Sequence, residues 1–293
     1  MAETKRALRP TNDLLFKRCI GNAEHPDITR GFISDILGIK VESVLIQNPY
    51  DIVLYQKEVD ERKLGVTVVD VLVRLADQSQ VAIEMQIASQ DYFLERALFY
   101  ASRHYTNDYG VDGLKRKARG SDVKYSSLCP VYSINILDFL QFDSDADPLH
   151  AFSLYDMQHA SFYGTGKAAP GIGGLLSLVF LELGKPKENA SERIGCLMDF
   201  FNGKPLPDEA PSYLSEALLL VDEQNLTKEE IEMIDAAERA EEDRKGQIAY
   251  ARKQGRKDVA LAALREGASP EFIAHITGFD LEMIMRFKTE LEK

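Results

Sequence analysis

The chain reads as an α/β protein whose first half mixes helices and strands and whose second half turns helical. Three observations predict this. The runs "KVESVLIQN", "VTVVDVLVRL", "QVAIEMQI" and "SLCPVYSINILDF" are short, β-branched and apolar, as strands are. Segments with apolar residues at helical spacing lie before and between them. From about Leu149 onward, stretches such as "SERIGCLMDFFNG" and "SYLSEALLLV" carry helical character instead.

In order, "RPTNDLLFKRCIG" predicts a helix capped by Thr11 or Asn12 and stopped by Gly21, and "DITRGFISDILG" a second one ending at Gly38. A strand closed by Pro49 follows. Two central strands span Val66–Leu75 and Gln80–Ile87 across the polar turn "ADQSQ". "DYFLERALFYASRHYTNDY" is a helix, and after a basic loop Pro130 marks the start of another buried strand. Thr227 and Glu230 form a capping box before a long charged helix, and Ser269-Pro270 starts a short one. The reading divides the chain into a core over 1–148, a helical extension over 149–234 packed on it, and a helical tail over 235–293.

The chain has 293 residues and a 45% hydrophobic fraction, enough for a sizeable core. Lys+Arg 35 against Asp+Glu 47 gives a net charge of −12, so any phosphate-binding surface must be a local patch. Cys19, Cys129 and Cys196 follow neither a zinc nor a disulfide spacing, which suits a reducing, cytoplasmic setting. The N-terminus has no secretory h-region, and "IGGLLSLVFLEL" is too short to cross a bilayer, so no membrane partner is expected. HExxH, GxSxG and GxxxxGK[ST] elements are absent, which removes support for zinc hydrolase, serine hydrolase and P-loop chemistry. The loop "GTGKAAPGIGG" lacks Walker spacing.

Asp70 interrupts a run of valines, and Glu84 and Gln86 follow in the next strand. Alternation puts Glu84 and Gln86 on one strand face, about 7 Å apart. If the two strands form a hairpin, Asp70 shares that face only when the connecting loop has an odd length, Ala76–Gln78 or Leu75–Ser79. Two carboxylates converging there repel each other unless a cation sits between them, and Mg²⁺ accepts one or two carboxylates with water and phosphate. Removing either acid then leaves the metal-free protein at least as stable. The blander reading is a half-exposed hairpin with charged outer residues.

Asp70 and Glu84-x-Gln86, placed after "PTNDLLFK" and before "ERALFYASRHY", resemble the PD-(D/E)XK nucleases. Within them the chain is similar to the Rpn-type recombination-promoting nucleases and the PD-(D/E)XK nuclease family transposases. The likeness extends through "LCPVYSINILDF" and "LVFLELGK" to the tail "GRKDVALAALREGASPEFIAHITGFDLEMI". It implies an αβββαβ core, a mixed sheet flanked by helices, followed by an α-helical C-terminal region. It also implies metal-dependent DNA hydrolysis, with Mg²⁺ or alternatively Mn²⁺ at Asp70 and Glu84. Gln86 stands where the superfamily usually has lysine and brings no positive charge. Recombination, mobile elements or phage defence are the implied settings. The alternative is an inactive nuclease fold serving as a DNA-binding or protein-interaction module.

Further candidates come from the same likeness or from local spacing and charge. Asp13 and Lys17, four apart on the first helix, are a further metal-shell acid and a transition-state cation, or else a plain surface ion pair. On the helix after the site, Arg96 and Tyr100 recur with Arg103 or His104, and Arg96 is the phosphate-binding candidate. "GLKRKARGSDVKY" is the densest basic cluster, and Lys115, Arg116 and Lys117 are its DNA-binding candidates, against a simply solvated loop. The tail includes "IAHITGF", a helix-turn-helix-like stretch poor in basic residues. Self-association into a homo-oligomer, or restraint of the nuclease, is the reading for this tail; packing onto its own chain is the alternative.

Overall fold

The structure is a computed structural model that describes residues 8–63, 70–110, 124–158, 161–162 and 172–291. Helix α1 (Asp13–Ile20) begins where the Asn12 side chain accepts from the backbone N–H groups of Leu14 and Leu15. Helix α2 (Pro26–Leu37) ends at Gly38, whose φ of 63° is the left-handed cap a glycine adopts without strain. Strand β1 (Val44–Ile46) comes next.

Helix α3 (Ile52–Lys63) is an element that the sequence pattern does not announce. Asp51 caps it by accepting from the N–H groups of Val53 and Leu54. The helix has no periodic apolar stripe, and Tyr55 is the side chain it buries among those described. Strands β2 (Val71–Leu75) and β3 (Gln80–Gln86) form the hairpin, and α4 (Phe93–Asn107) crosses over to β4 (Val131–Leu137). Residues 66–69 of the expected strand lie outside the described residues.

Helical character was expected from Leu149, and four strands correct that expectation. Strand β5 (Leu149–Ser153) and a small ribbon of β6 (Tyr155–Asp156) and β7 (Ser161–Phe162) precede β8 (Leu176–Glu182). Helices resume only at α5 (Glu192–Phe201) and α6 (Ser212–Val221). The reason is physical: a parallel strand buried on both faces reads as a continuous apolar run without alternation, as in "LSLVFLE".

The main sheet has the order β1-β2-β3-β4-β8-β5. The first three strands are antiparallel neighbours, β3, β4 and β8 run parallel, and β5 returns antiparallel. An αβββαβ core is thus present, with α3 inserted between its first two strands and two strands added beyond β4. One face of the sheet is lined by buried Val71, Val73, Val81, Ile83, Ile134, Ile136, Val179 and Leu181. On that face the close of α1 lies against the sheet: a Cβ on Gly21 would stand 3.2 Å from the Val71 side chain. On the opposite face α4 packs Phe93 and Ala97 against Leu137 and Phe180, with Phe139, Phe142 and Leu178 around them.

The chain divides into two compact units, 1–231 and 232–293. The long helix α7 (Lys228–Arg265) begins in the first, where the Thr227 and Glu230 capping box forms as expected. Glu230 is also held there by Arg18 and by the Tyr50 hydroxyl at 2.6 Å. In the second unit, the end of α7 packs with α8 (Pro270–Thr277) and α9 (Leu281–Leu291) around Ala260, Ile273, Ile284 and Phe287. Part of the apolar surface of these helices is covered within the unit, while Phe272, Ile276 and Met285 remain exposed.

Candidate functional site

The site is built on the β2–β3 hairpin. Leu75 and Ser79 close it: the Leu75 N–H donates to Ser79 O at 2.9 Å, and the Gln78 N–H to Leu75 O at 3.0 Å. The turn is therefore the three residues Ala76–Gln78, one of the two odd lengths expected, and Gln78 takes the left-handed conformation at φ 71°. The resulting register pairs Val71 with Ile83 and Leu72 with Ala82. Asp70 immediately precedes β2, one residue before the Val71–Ile83 pair, so it lies at the open end of the hairpin near Glu84.

Each acid is positioned by specific contacts. Asp70 is buried, and its Oδ2 accepts from the Met85 N–H at 2.8 Å, so its carboxylate reaches the backbone of β3 beside Glu84. Asn48, just beyond β1, accepts from the Leu72 N–H at 2.6 Å and extends its amide to the Asp70 carbonyl at 3.4 Å. Glu84 is half-buried, and its Oε2 accepts from the Gln86 amide Nε2 at 3.1 Å. That orientation leaves the Gln86 carbonyl as an oxygen donor directed elsewhere.

The hairpin's neighbour contributes a residue that the sequence reading passed over. Asn135 on β4 lies beside Glu84 in the parallel register. It is buried, and its amide donates to Ser133 Oγ at 3.2 Å and to two backbone carbonyls. A signal for it exists: in "VYSINIL" the polar Ser133 and Asn135 alternate with apolar residues on one strand face. Arg74, also on the site face of β2, makes a buried bidentate pair with Asp108 at the end of α4, both contacts 3.1 Å. That pair clamps α4 over the site face.

The first-helix pair is no ordinary surface ion pair. Lys17 is 4% exposed, with its Nζ 5.6 Å from the centre of the Tyr55 ring on α3, while Asp13 is half-buried. Arg96 on α4 is half-buried with its guanidinium 5.8 Å from the Tyr100 ring. Lys115, Arg116 and Lys117 lie outside the described residues, as does most of the GTGK loop. Among the described residues, no group of three or more His, Cys, Asp and Glu converges in the manner of a metal cage. The donor set at the hairpin is two carboxylates and an amide, all hard oxygen donors. It fits a cation that keeps water and takes phosphate for its remaining positions.

A second polar cluster, also missed, sits at the same end of the sheet. Glu182 closes β8 in line with Leu137 and Gln86. It is fully buried, and its Oε1 accepts from the N–H groups of Gln141 and Phe142 at 2.5 and 3.1 Å. Lys185 Nζ and His150 Nε2 stand 2.8 and 3.3 Å from its other oxygen, close in charge though not aligned as hydrogen bonds. Lys185 also donates to Asp145 at 3.2 Å.

The structure is thus an α/β fold with a mixed six-stranded sheet flanked by helices, an acid just before one strand and an acid with an amide on the next. Comparison with protein families agrees: the chain belongs to the PD-(D/E)XK nuclease family transposases, whose family model matches residues 10–200, well over half of its length. Comparisons with curated proteins and with solved structures returned no match. Among the described residues no helix is long and apolar enough to cross a membrane.

Proposed function

We propose that the protein is a metal-dependent DNA endonuclease that hydrolyses phosphodiester bonds. The observation that supports this reading is the Asp70 carboxylate accepting from the Met85 N–H beside Glu84, with Gln86 on the face of Glu84, in a chain of a nuclease family. Asp70 and Glu84 would hold the metal, Mg²⁺ or alternatively Mn²⁺. When bound, such an ion supplies an activated water and stabilises negative charge developing on the phosphate.

The protein's own part is positional. The Met85 N–H fixes the direction of the Asp70 carboxylate, and the Gln86 amide fixes Glu84. Gln86 presents its carbonyl to orient the attacking water or a metal-bound one, but cannot take its proton. Lys17 is proposed as the positive charge that Gln86 lacks and Asp13 as a further acid of the metal shell, although the close of α1 lies against the valine face of the sheet and not the face of Glu84. Arg96 and the Lys115, Arg116 and Lys117 cluster hold the DNA backbone. The protein works in the cytoplasm in recombination, mobile-element movement or phage defence. The helical tail from Asp235 supports a homo-oligomer or restrains the nuclease; a chain ending there should change its mass in solution or its specific activity.

Incubation of supercoiled plasmid with the purified protein tests the reading. Cleavage should require Mg²⁺ or Mn²⁺ and should be lost in Asp70→Asn and Glu84→Gln. Metal-independent cleavage, or variants as active as the wild type, would reject it. DNA binding without cleavage by the wild type would favour an inactive, DNA-binding form of the fold. Replacing Lys115, Arg116 and Lys117 by alanine should weaken DNA binding and flatten its dependence on salt. An unchanged slope removes that loop from the interface.

A further inference from the structure

Along α4 the residues Arg96, Phe99 and Arg103 stand at i, i+3 and i+7, a single row about 10 Å long at ~1.5 Å per residue, and Tyr92 precedes it as the N-cap residue of the helix. The helix buries a different row, Phe93, Ala97 and Ala101. The ring-and-guanidinium row is turned outward instead: Tyr92 is 77% and Phe99 63% exposed, Arg103 is exposed and Arg96 half-buried. Tyr100 lies beside it, edge-on to Phe99 at 5.5 Å and within cation–π distance of Arg96.

Two features set this row apart from an ordinary apolar face. The first is its alternation of aromatic and arginine: Arg96 and Arg103 put two positive charges on one line of a chain that carries −12 overall, with exposed Asp91 and Glu95 near its N-terminal end. Its complement is a polyanion that also has flat apolar surfaces. The second is Tyr92, which enters the helix at φ 59° and makes no side-chain capping bond. A bulky residue rarely adopts that conformation, and here it holds a large ring in solvent at an energetic cost.

We propose that this row is a base-stacking track for single-stranded DNA. Guanidinium groups would pair with phosphates, while Tyr92 and Phe99 would stack on bases, whose faces a duplex keeps hidden. The track lies on the site's side of the sheet, since α4 packs on Leu137 and Phe180, which share the face of Gln86 and Glu84. Resting on the nuclease reading of that site, the inference makes the substrate a strand with unpaired bases.

Fluorescence anisotropy of the full-length protein in EDTA tests this, with a labelled mixed-sequence 20-mer and its blunt duplex, so that neither is cut. The single strand should bind at least about tenfold more tightly, and Tyr92→Ala and Phe99→Ala should each weaken it by about tenfold. Neither variant should alter the salt slope, whereas Arg103→Ala should lower it by about 0.7. Tyr92→Phe and Phe99→Tyr keep a ring and should bind like the wild type. Equal affinity for duplex and single strand, or a Tyr92→Ala/Phe99→Ala double variant with unchanged single-strand affinity, overturns the proposal. So does a double variant that changes only the mass of the protein in solution, because the row is then a protein interface. If the ring variants behave as expected but no DNA is cut in Mg²⁺ or Mn²⁺, the nuclease reading fails and the track stands.

Discussion

Glu84 and Glu182 occupy one face and one end of the same sheet, separated by β4, and they are built in opposite ways. Glu182 is sealed from solvent, with two backbone donors on one oxygen and a lysine and a histidine near the other. Glu84 is half-buried, stands next to the Met85 N–H that binds a second carboxylate, Asp70, and is steadied by a neutral amide. The first arrangement compensates its charge permanently within the fold. The second keeps hard oxygen donors where solvent and substrate can reach them. Burial together with built-in cations marks a carboxylate that holds structure; exposure beside another acid marks one suited to exchange.

The sharpest way to break this comparison is to neutralise the two acids in turn. Glu84→Gln should lower metal-dependent cleavage by about three orders of magnitude while the urea midpoint stays near that of the wild type. Asp70 needs a gentler change. The expectation that its loss leaves the metal-free protein at least as stable has to be revised, because Asp70→Ala strands the Met85 N–H, at a cost of roughly 1–3 kcal/mol. Asp70→Asn keeps an acceptor there and should lose activity alone. A fully active Glu84→Gln protein would make the pair structural.

Glu182→Ala should do the reverse. It removes the partner of a buried lysine and two loop N–H groups and should cost about 3–5 kcal/mol, read from denaturant unfolding. Any loss of activity should then be no greater than the unfolded fraction explains. An unchanged midpoint would mean that the Glu182 cluster does not hold the structure together.

Gln86 comes next in size. Gln86→Ala should reduce cleavage by about 10–100-fold, as expected for a residue that orients a ligand. Gln86→Lys should recover at least part of that loss, since an ammonium can still donate to Glu84. Alanine and lysine variants that are equally poor would assign the work to the amide carbonyl.

The smallest effect is on the pH dependence of stability. Burial works against the charge on Lys185, yet Glu182 and Asp145 hold its pKa above the ordinary lysine value. The bond from Lys185 holds Asp145 below the ordinary carboxylate value. A raised base contributes stability that is lost as pH rises through its folded pKa. A depressed acid contributes stability that is lost as pH falls through its own. The Lys185→Met variant should therefore show a flatter alkaline arm in its stability curve, and Asp145→Asn a flatter acid arm.

How much of this was legible in the sequence depends on periodicity. Asp70, Glu84 and Gln86 could be placed because strand alternation has a period of two and the turn needed only the right parity. The caps of α1 and α2 were legible for similar local reasons. Asn135 and Glu182 were not, and neither was the burial of Lys17, because these settings come from chain distant in sequence: the neighbouring strands, the 141–150 segment, and Tyr55 on α3. Strand β8 hid because burial on both faces erases alternation, and α3 because it has almost no apolar face to reveal.

The three-residue turn at Ala76–Gln78 also sets a rule for length variation. One residue inserted or deleted there, if the pairing shifted with it, would turn Asp70 and the valines to opposite faces from those they now occupy and, on the proposed function, abolish cleavage with both acids still present. A two-residue insertion would keep the parity and spare the site. The loop thus behaves like a reading frame, tolerant of changed composition and sensitive to odd changes in length.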